Sequence, residues 1–306
     1  MNPNDWRGVW TSLVTPMNAD SSLDWKALDS LVSRQLDAEV RAIVLAHRCG
    51  EGPTLSAHEK LALVRRASAH AKRRGSTFVV GALEATSTAQ CVELCKLYQD
   101  AGADGILANI PLEFPFVGRG ILSHFKMLAL AVSIPVFIGF PDPCDPYLLS
   151  TPFFDELLSL PGVLGASLVG DVSGVSSSLK SQKLFLSSSE TFFHSASFHC
   201  ESKPTKEFFF GGLLSGVANI FPRECKDMWD HYSQLMAYQP SPKEQGLLSF
   251  AHTLDTYPLA SATKGCLHQQ NLIKPFLRLP YDSLAEDSLR DLSAELGKIT
   301  RQLAEV

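Results

Sequence analysis

Strand-like and helix-like segments alternate along most of this chain, and that alternation restricts the fold more than any other feature of the sequence. Short apolar runs typical of buried parallel strands are each followed by a stretch with apolar residues at helical spacing. We predict strands at 9–14, 42–46, 77–81, 105–108, 135–139, 163–168 and 211–220, with the seventh in chain order inside the serine-rich segment 173–189. Such alternation favours a parallel sheet covered by helices, and eight strands favour closure into a barrel.

The helical segments complete this pattern and then continue without further strands. Ser56 and Glu59 have the spacing of a capping box at the start of one helix. We predict helices at 24–38, 56–73, 88–101, 121–132, from 151 onward, and at 223–236, 244–256, 260–272 and 283–304. The predicted fold is therefore an α/β protein, a (β/α)8 TIM barrel over 1–238, with a C-terminal helical extension that forms a subdomain over 239–306.

Composition excludes several classes of protein. A net charge of −5 and a pI near 6.0 make a nucleic-acid partner a poor expectation. Apolar runs stop well short of the roughly 20 residues that cross a membrane, and the first seven residues have no apolar signal core. Seven scattered cysteines are typical of reduced thiols, so we expect a cytoplasmic protein without membrane partners.

Several short motifs occur in an order and spacing that match a known family. They are the segment 8–16 (GVWTSLVTP), Gly50-Glu51 with Thr54-Leu55 and Glu59, the turn 101–105, His124-Phe125, Ile134-Pro135-Val136, Gly211-Gly212 before Val217-Ala218-Asn219 and Pro222, and Leu277-Arg278-Leu279-Pro280. Together they resemble the dihydrodipicolinate synthase / N-acetylneuraminate lyase family almost from end to end.

The resemblance implies a pyruvate-dependent aldolase or lyase, usually a homotetramer and without a separate cofactor. Its active site lies where the strands of the barrel end. A lysine on the sixth strand forms an imine with pyruvate, which acts as an electron sink. A tyrosine on the fifth strand relays the proton, and two threonines in a Gly-Thr-Thr-Gly-Glu loop after the second strand bind the pyruvate carboxylate.

Carried over one position at a time, these groups are replaced in this chain. The sixth-strand segment Gly-Ala-Ser-Leu places Ser167 at the lysine position, and Gly139 stands at the tyrosine position. The loop after the second strand reads His-Arg-Cys-Gly-Glu, so Arg48 and Cys49 stand at the two threonine positions. A hydroxyl cannot form an imine, and we therefore predict that the pyruvate-dependent activity is lost.

Two further positions of the synthases differ as well. Leu112 and Glu113 stand where the synthases carry a tyrosine pair, and the arginine that binds their second substrate falls near Cys144. No lysine occurs between Lys126 and Lys180. The lysines closest to the missing one in the sequence are Lys180, Lys183, Lys203 and Lys206.

The replacement residues suggest a rebuilt pocket. Its candidate members are His47, Arg48, Cys49, Glu51, Glu113, Ser167 and Leu214. Arg48 would bind a carboxylate or phosphate by a forked contact, and His47 or Glu113 would serve as acid or base. In the alternative interpretation the pocket has been refilled, and Arg48 simply pairs with Glu51 or Glu113.

The sequence gives weaker support for a metal site or for a nucleophilic cysteine. His194, His199 and Cys200 follow the predicted seventh strand and would have to meet His47 and Cys49 to hold a metal, but their spacing matches no known metal motif. A Cys49 nucleophile paired with His47 rests on adjacency alone. We therefore predict no metal and no cofactor.

Three functional hypotheses follow. The first is a non-lyase or pseudoenzyme descendant that binds a small carboxylate or oxo-acid, or a partner. The second is a genuine pyruvate lyase of the 4-hydroxy-tetrahydrodipicolinate synthase type that uses a displaced lysine, Lys203 or Lys180. The third is a structural barrel that offers only a rigid surface. By resemblance, the protein is expected to be a homo-oligomer, either a dimer or a tetramer.

Overall fold

Eight parallel strands follow one another around a closed barrel in chain order. The computed structural model describes residues 2–75, 77–84, 87–111, 118–140, 151–168, 183–187, 211–234 and 239–304. The strands are β1 Gly8–Ser12, β2 Ala42–Leu45, β3 Phe78–Leu83, β4 Gly105–Asn109, β5 Val136–Gly139, β6 Val163–Leu168, β7 Leu184–Ser187 and β8 Gly212–Ser215. The predicted (β/α)8 barrel is confirmed, and the seventh strand lies inside the serine-rich segment as expected.

Helices cover the barrel and continue beyond its last strand. They are α1 Trp25–Asp37, α2 Ala57–Arg74, α3 Thr88–Asp100, α4 Gly118–Ala131, α5 Thr151–Leu158, α6 Pro222–Gln234, α7 Pro242–Asp255, α8 Leu259–Gln269 and α9 Glu286–Ala304. The capping box predicted from Ser56 and Glu59 is present at the start of α2. Within the described residues, no helix combines the length and the apolar character needed to span a membrane.

The prediction for the eighth strand, 211–220, was too long. The strand ends at Ser215, and Val217–Asn219 forms a turn of 3-10 helix. The buried Asn219 side chain explains the change, because it accepts a hydrogen bond from the Val14 amide at 3.0 Å and donates one to the Ser12 carbonyl oxygen at 2.8 Å. These bonds attach the turn after β8 to the end of β1.

The N-terminal end of the barrel is closed by aromatic rings. Trp6 stacks on Phe78 with ring centroids 4.0 Å apart, and its carbonyl oxygen accepts a hydrogen bond from the Trp10 indole at 2.9 Å. Lys183 lies at this end as well, because its ammonium donates to the Val163 carbonyl oxygen where β6 begins. The opposite end, where the strands terminate, is the end at which barrel enzymes hold their substrates.

The C-terminal extension contains more non-helical chain than its sequence suggested. Helix α8 ends at Gln269 rather than at 272, and α9 begins at Glu286 rather than at 283. The residues between them, 270–285, run as turns and extended chain. A buried lysine on α8 and an arginine in this connecting segment contact the loop after β2, so the extension lies beside the mouth of the barrel.

Candidate functional site

The loop after β2 is the best-defined part of the barrel mouth. Residues Arg48–Gly50 form a 3-10 turn between two residues in the left-handed region, Ala46 with φ 56° and Glu51 with φ 54°. A side chain at Gly52 would place its Cβ 2.0 Å from the Ala46 carbonyl oxygen, so the two ends of the loop touch. Left-handed residues other than glycine carry strain of order 1–3 kcal/mol each, which the surrounding contacts must offset.

Glu51 holds this loop against the C-terminal extension. Its carboxylate forms an ion pair with Lys264, and both side chains are completely buried. The second carboxylate oxygen accepts the Arg278 backbone amide at 2.8 Å, while the Lys264 ammonium also donates to the Phe276 carbonyl oxygen at 2.8 Å. Burial lowers the pKa of Lys264, and the Glu51 carboxylate opposes that shift. The alternative interpretation paired Arg48 with Glu51 or Glu113. Glu51 has Lys264 as its cation instead, and Glu113 lies outside the described residues.

Arg278 joins the same loop to helix α2. Its guanidinium makes a forked contact with the Glu59 carboxylate at 2.9 and 2.8 Å, and it donates to the Thr54 carbonyl oxygen at 3.0 Å. These hydrogen bonds from Arg278 lower the pKa of Glu59 to about 2. The loop after β2, the start of α2 and the segment 270–285 are thus joined by charged contacts.

Ser12 and His47 form a buried polar pair inside the mouth. Ser12 ends β1 and lies two residues after Trp10, whose side chain fills the barrel interior, so both point inward. The Ser12 hydroxyl lies 3.1 Å from Nδ1 of His47, which follows β2. Burial lowers the pKa of His47 to about 3, with a smaller contribution from the positive charge of Arg48. The imidazole is therefore neutral at physiological pH.

Ser167, at the family's lysine position, also faces the interior. It is paired in register with Leu186, a residue of the inner apolar cluster, and paired residues of parallel strands share a face. The side chain is 3% exposed, and its hydroxyl makes no hydrogen bond to any other residue that the structure describes. The candidate pocket residue Leu214 belongs to the same inner cluster and is 5% exposed.

A neighbouring side chain fills the space beside Gly139, which stands at the family's tyrosine position. It pairs with Ser167 on one side and with Asn109 on the other. A Cβ at Gly139 would lie 1.9 Å from Oδ1 of Asn109, so the asparagine carboxamide occupies the place where a side chain would begin. The other end of that carboxamide, Nδ2, lies 3.5 Å from the Glu84 carboxylate at the end of β3. The ends of β3, β4 and β6 therefore carry polar side chains, and Gly139 on β5 leaves room between them.

Arg48 is the exposed charge of the loop after β2. Its side chain makes no ion pair with another residue of the described ranges, and the negative charge of Asp255, at the end of α7, is within electrostatic range. Tyr281 lies at the same rim, where it experiences the charges of Glu84, Glu51 and Arg48, and burial raises the pKa of its phenol. The rim thus carries a cation. Ser12, His47 and Ser167 inside it are neutral hydrogen-bonding groups, and Glu84 adds a carboxylate where β3 ends.

The remaining predicted site residues fall into two groups. Cys49 is buried, and its sulfur lies 3.3 Å from the position that a Cβ on Gly216 would take. Nδ1 of His47 makes its hydrogen bond with Ser12. Several others lie outside the described residues, namely Leu112, Glu113, Cys144, Lys180, His194, His199, Cys200, Lys203 and Lys206. Within the ranges given above, no cluster of three metal-binding side chains occurs.

An opening on the outside of the barrel is a poorer candidate. A cleft of about 620 Å³ runs between α1 and α6, and its lining mixes Arg34 and Arg223 with Asp37 and Glu224. Arg34 is occupied there by the Asn219 and Ile220 carbonyl oxygens. None of the residues that line the cleft is one of the inward-facing polar groups at the strand ends.

Four residues of the mouth were not identified as site residues from the sequence. Ser12 and Asn109 lie at strand ends, and their only signal was a polar residue at an inward position of an apolar strand. Glu84 directly follows β3 and has the same signal. Lys264 had no local signal, because its partner Glu51 is more than two hundred residues away in the chain.

Comparison with known proteins agrees with this architecture. The family model described as the dihydrodipicolinate synthetase family matches residues 5–299. A 4-hydroxy-tetrahydrodipicolinate synthase of Pseudomonas syringae is 28% identical over 91% of this chain and 93% of that protein. The synthase of Cellvibrio japonicus is 35% identical over a shorter stretch, 43% of this chain and 45% of that protein.

A solved structure has the same fold. The dihydrodipicolinate synthase of Acinetobacter baumannii, in complex with pyruvate, superimposes with a TM-score of 0.77 over 95% of this chain and 99% of that one. The two sequences are 23% identical, so this likeness concerns the fold alone. The family model, in contrast, spans nearly the whole sequence. This chain belongs to the dihydrodipicolinate synthetase family.

Proposed function

We propose that this protein is a member of the family that binds a small carboxylate or oxo-acid at the barrel mouth and does not form an imine with pyruvate. Ser167 carries the proposal. Its side chain faces the interior from β6, next to Gly139 on β5. By resemblance to the family, these two positions carry a lysine and a tyrosine. A hydroxyl cannot condense with a ketone to give an imine, so this position supports binding rather than Schiff-base chemistry.

The neighbourhood of Ser167 supports the same proposal. Asn109 occupies the space beside Gly139, so a tyrosine could not simply be restored there without moving the carboxamide. Gly139 on β5 and Asn109 on β4 thus fit each other, as expected for a pocket adapted to a different role. The hydroxyl of Ser167 and the carboxamide of Asn109 are hydrogen-bonding groups for a ligand rather than nucleophiles for a carbonyl.

Arg48 provides the charge for a carboxylate. It stands at one of the positions that bind the pyruvate carboxylate in the family, it is exposed, and Glu51 is not its partner. A guanidinium donates two parallel hydrogen bonds to a carboxylate, which gives orientation as well as attraction. The pyruvate complex of the Acinetobacter baumannii synthase suggests the size of ligand that this barrel mouth admits.

We expect no imine when the protein is mixed with pyruvate and treated with borohydride. Reduction would trap any imine as a stable adduct, so the intact mass of the protein should remain unchanged. A catalytically competent family member treated in parallel should gain one reduced pyruvate per chain. A heat-denatured sample of this protein sets the background from unspecific reaction of surface lysines.

A stoichiometric adduct that requires the folded protein would overturn the proposal. Peptide mapping would then identify a displaced lysine. Lys183 is not expected to be that residue, because its ammonium donates to the Val163 carbonyl oxygen at the opposite end of the barrel. A homo-oligomer, as the family resemblance implies, and the cytoplasmic location expected from the composition of the chain are part of the same proposal.

A further inference from the structure

The pair formed by Ser12 and His47 has a feature that bears on ligand choice. Both residues are more than nine-tenths buried, at 3% and 7% exposure, and they lie at the ends of adjacent strands. The hydroxyl oxygen and Nδ1 are 3.1 Å apart, which is a hydrogen bond. What the pair can offer a ligand depends on which atom carries the proton.

The hydrogen bond itself assigns the protons. Among the described residues, His47 is the only partner of the Ser12 hydroxyl. If Nδ1 carried a proton and donated it, the buried hydroxyl proton of Ser12 would have no acceptor, which costs roughly 1–3 kcal/mol. Ser12 therefore donates to Nδ1. A neutral imidazole carries one proton, so that proton is on Nε2 of His47.

The Nε2–H group is the donor that the pair leaves over. It makes no hydrogen bond to a residue of the described part of the chain. Because His47 follows β2 directly, this donor lies at the mouth of the barrel.

Two neighbours indicate what such a donor would contact. Arg48 adjoins His47 in the chain and has an exposed guanidinium, which suits a carboxylate. The hydroxyl of Ser167 is buried, faces the interior and has no partner among the described residues, so the interior retains hydrogen-bonding capacity. A carboxylate that bound both residues would place its carboxylate on the guanidinium of Arg48 and an oxygen of the next carbon on the Nε2–H group of His47.

We propose that the Ser12–His47 pair is a fixed, neutral hydrogen-bond donor that selects carboxylates with an oxygen on the carbon next to the carboxylate. The ligand class is small 2-hydroxy acids together with 2-oxo acids. This inference rests on the proposed function, since it assumes a carboxylate ligand at the mouth. An uncharged donor polarises such an oxygen and transfers no proton to it.

Calorimetric titration of lactate and propionate into the wild-type protein tests this inference without any substitution. The two ligands share size and carboxylate and differ in the 2-hydroxyl, and neither can form an imine. We expect lactate to bind about tenfold more tightly than propionate, equivalent to about 1.4 kcal/mol. Equal affinities would overturn the role of His47 while leaving a carboxylate site in place.

Two substitutions at one position separate the donor from the fold. His47→Asn keeps a group that can accept the Ser12 proton but has no atom at Nε2, so the preference for lactate should disappear. His47→Gln places an amide N–H near the Nε2 position, so part of the preference should return. A preference that survives His47→Asn unchanged would contradict the assignment.

Arg48→Gln distinguishes failure of this inference from failure of the proposed function. We expect the variant to lose affinity for lactate and propionate alike, because both depend on the guanidinium. If neither acid binds even the wild-type protein, the carboxylate site and the inference built on it are both wrong. If both bind and Arg48→Gln weakens them equally, the lactate-to-propionate ratio alone decides the role of His47.

Discussion

Replacing Lys264 by methionine is expected to destabilise the protein by about 3–5 kcal/mol. The substitution removes the ammonium that pairs with the Glu51 carboxylate, which is 0% exposed and keeps, among the described residues, its hydrogen bond from the Arg278 amide. An uncompensated buried charge is much more costly than the loss of one contact. In urea unfolding, the midpoint concentration should fall, while the slope of the unfolding free energy against urea concentration should stay the same.

Lys274 provides the matched control. Its ammonium lies 3.4 Å from the Asp24 carboxylate, but the lysine side chain is 54% exposed. Exposed pairs contribute roughly 0–1 kcal/mol, so Lys274→Met should change the unfolding free energy little. The double variant Glu51→Gln with Lys264→Met should recover much of the loss, because neither buried charge remains. Equal effects of the two single lysine variants would refute a special role for the buried pair.

His47 is expected to make the protein lose stability as the pH falls below about 6.5. In the unfolded chain its imidazole takes up a proton near the ordinary pKa of 6.5, whereas burial lowers the folded-state pKa to about 3. Between these values the unfolded state binds one more proton. The unfolding free energy should therefore fall by up to about 1.4 kcal/mol per pH unit in that window. Above pH 6.5 His47 contributes no pH dependence, and below about pH 3 its contribution to the unfolding free energy is completely lost.

Denaturant unfolding at a series of pH values measures this contribution. The His47→Asn variant removes the buried imidazole, so its stability should fall less steeply between pH 6.5 and pH 3 than that of the wild type. His58 is exposed on α2, and His58→Asn is the matched substitution that should retain the wild-type slope. Parallel curves for wild type and His47→Asn would show that His47 becomes protonated in the folded protein as readily as in the unfolded chain.

The barrel was predictable because its signal is periodic and local. Continuous apolar runs gave the strands, and helical spacing gave the covering helices, both within a few residues. The eighth strand was overestimated for a reason that no local pattern contains. Its apolar continuation, Val217–Asn219, turns because the Asn219 side chain binds the end of β1, on a segment two hundred residues earlier in the chain.

The site was only partly predictable for the same reason. The loop with His47 and Arg48 was identified from the family's motif order, and its position at the strand ends was correct. The partners of that loop were not identified. One alternative interpretation paired Glu51 with Arg48, yet the cation of Glu51 comes from α8, and the serine that binds His47 comes from β1. Such contacts depend on which strands and helices become neighbours, which periodicity does not encode.

The ion pair between Glu51 and Lys264 bears on how the chain can be divided. We proposed a boundary at 238/239 because the sequence changes there from alternating strands and helices to helices alone. The barrel nevertheless depends on the later segment for a counter-ion, since a chain cut at that boundary would lose the cation of Glu51 and the contacts around it. The loop that presents His47 and Arg48 and the extension that neutralises Glu51 are therefore expected to fold as one cooperative unit, in which change on either side affects the other.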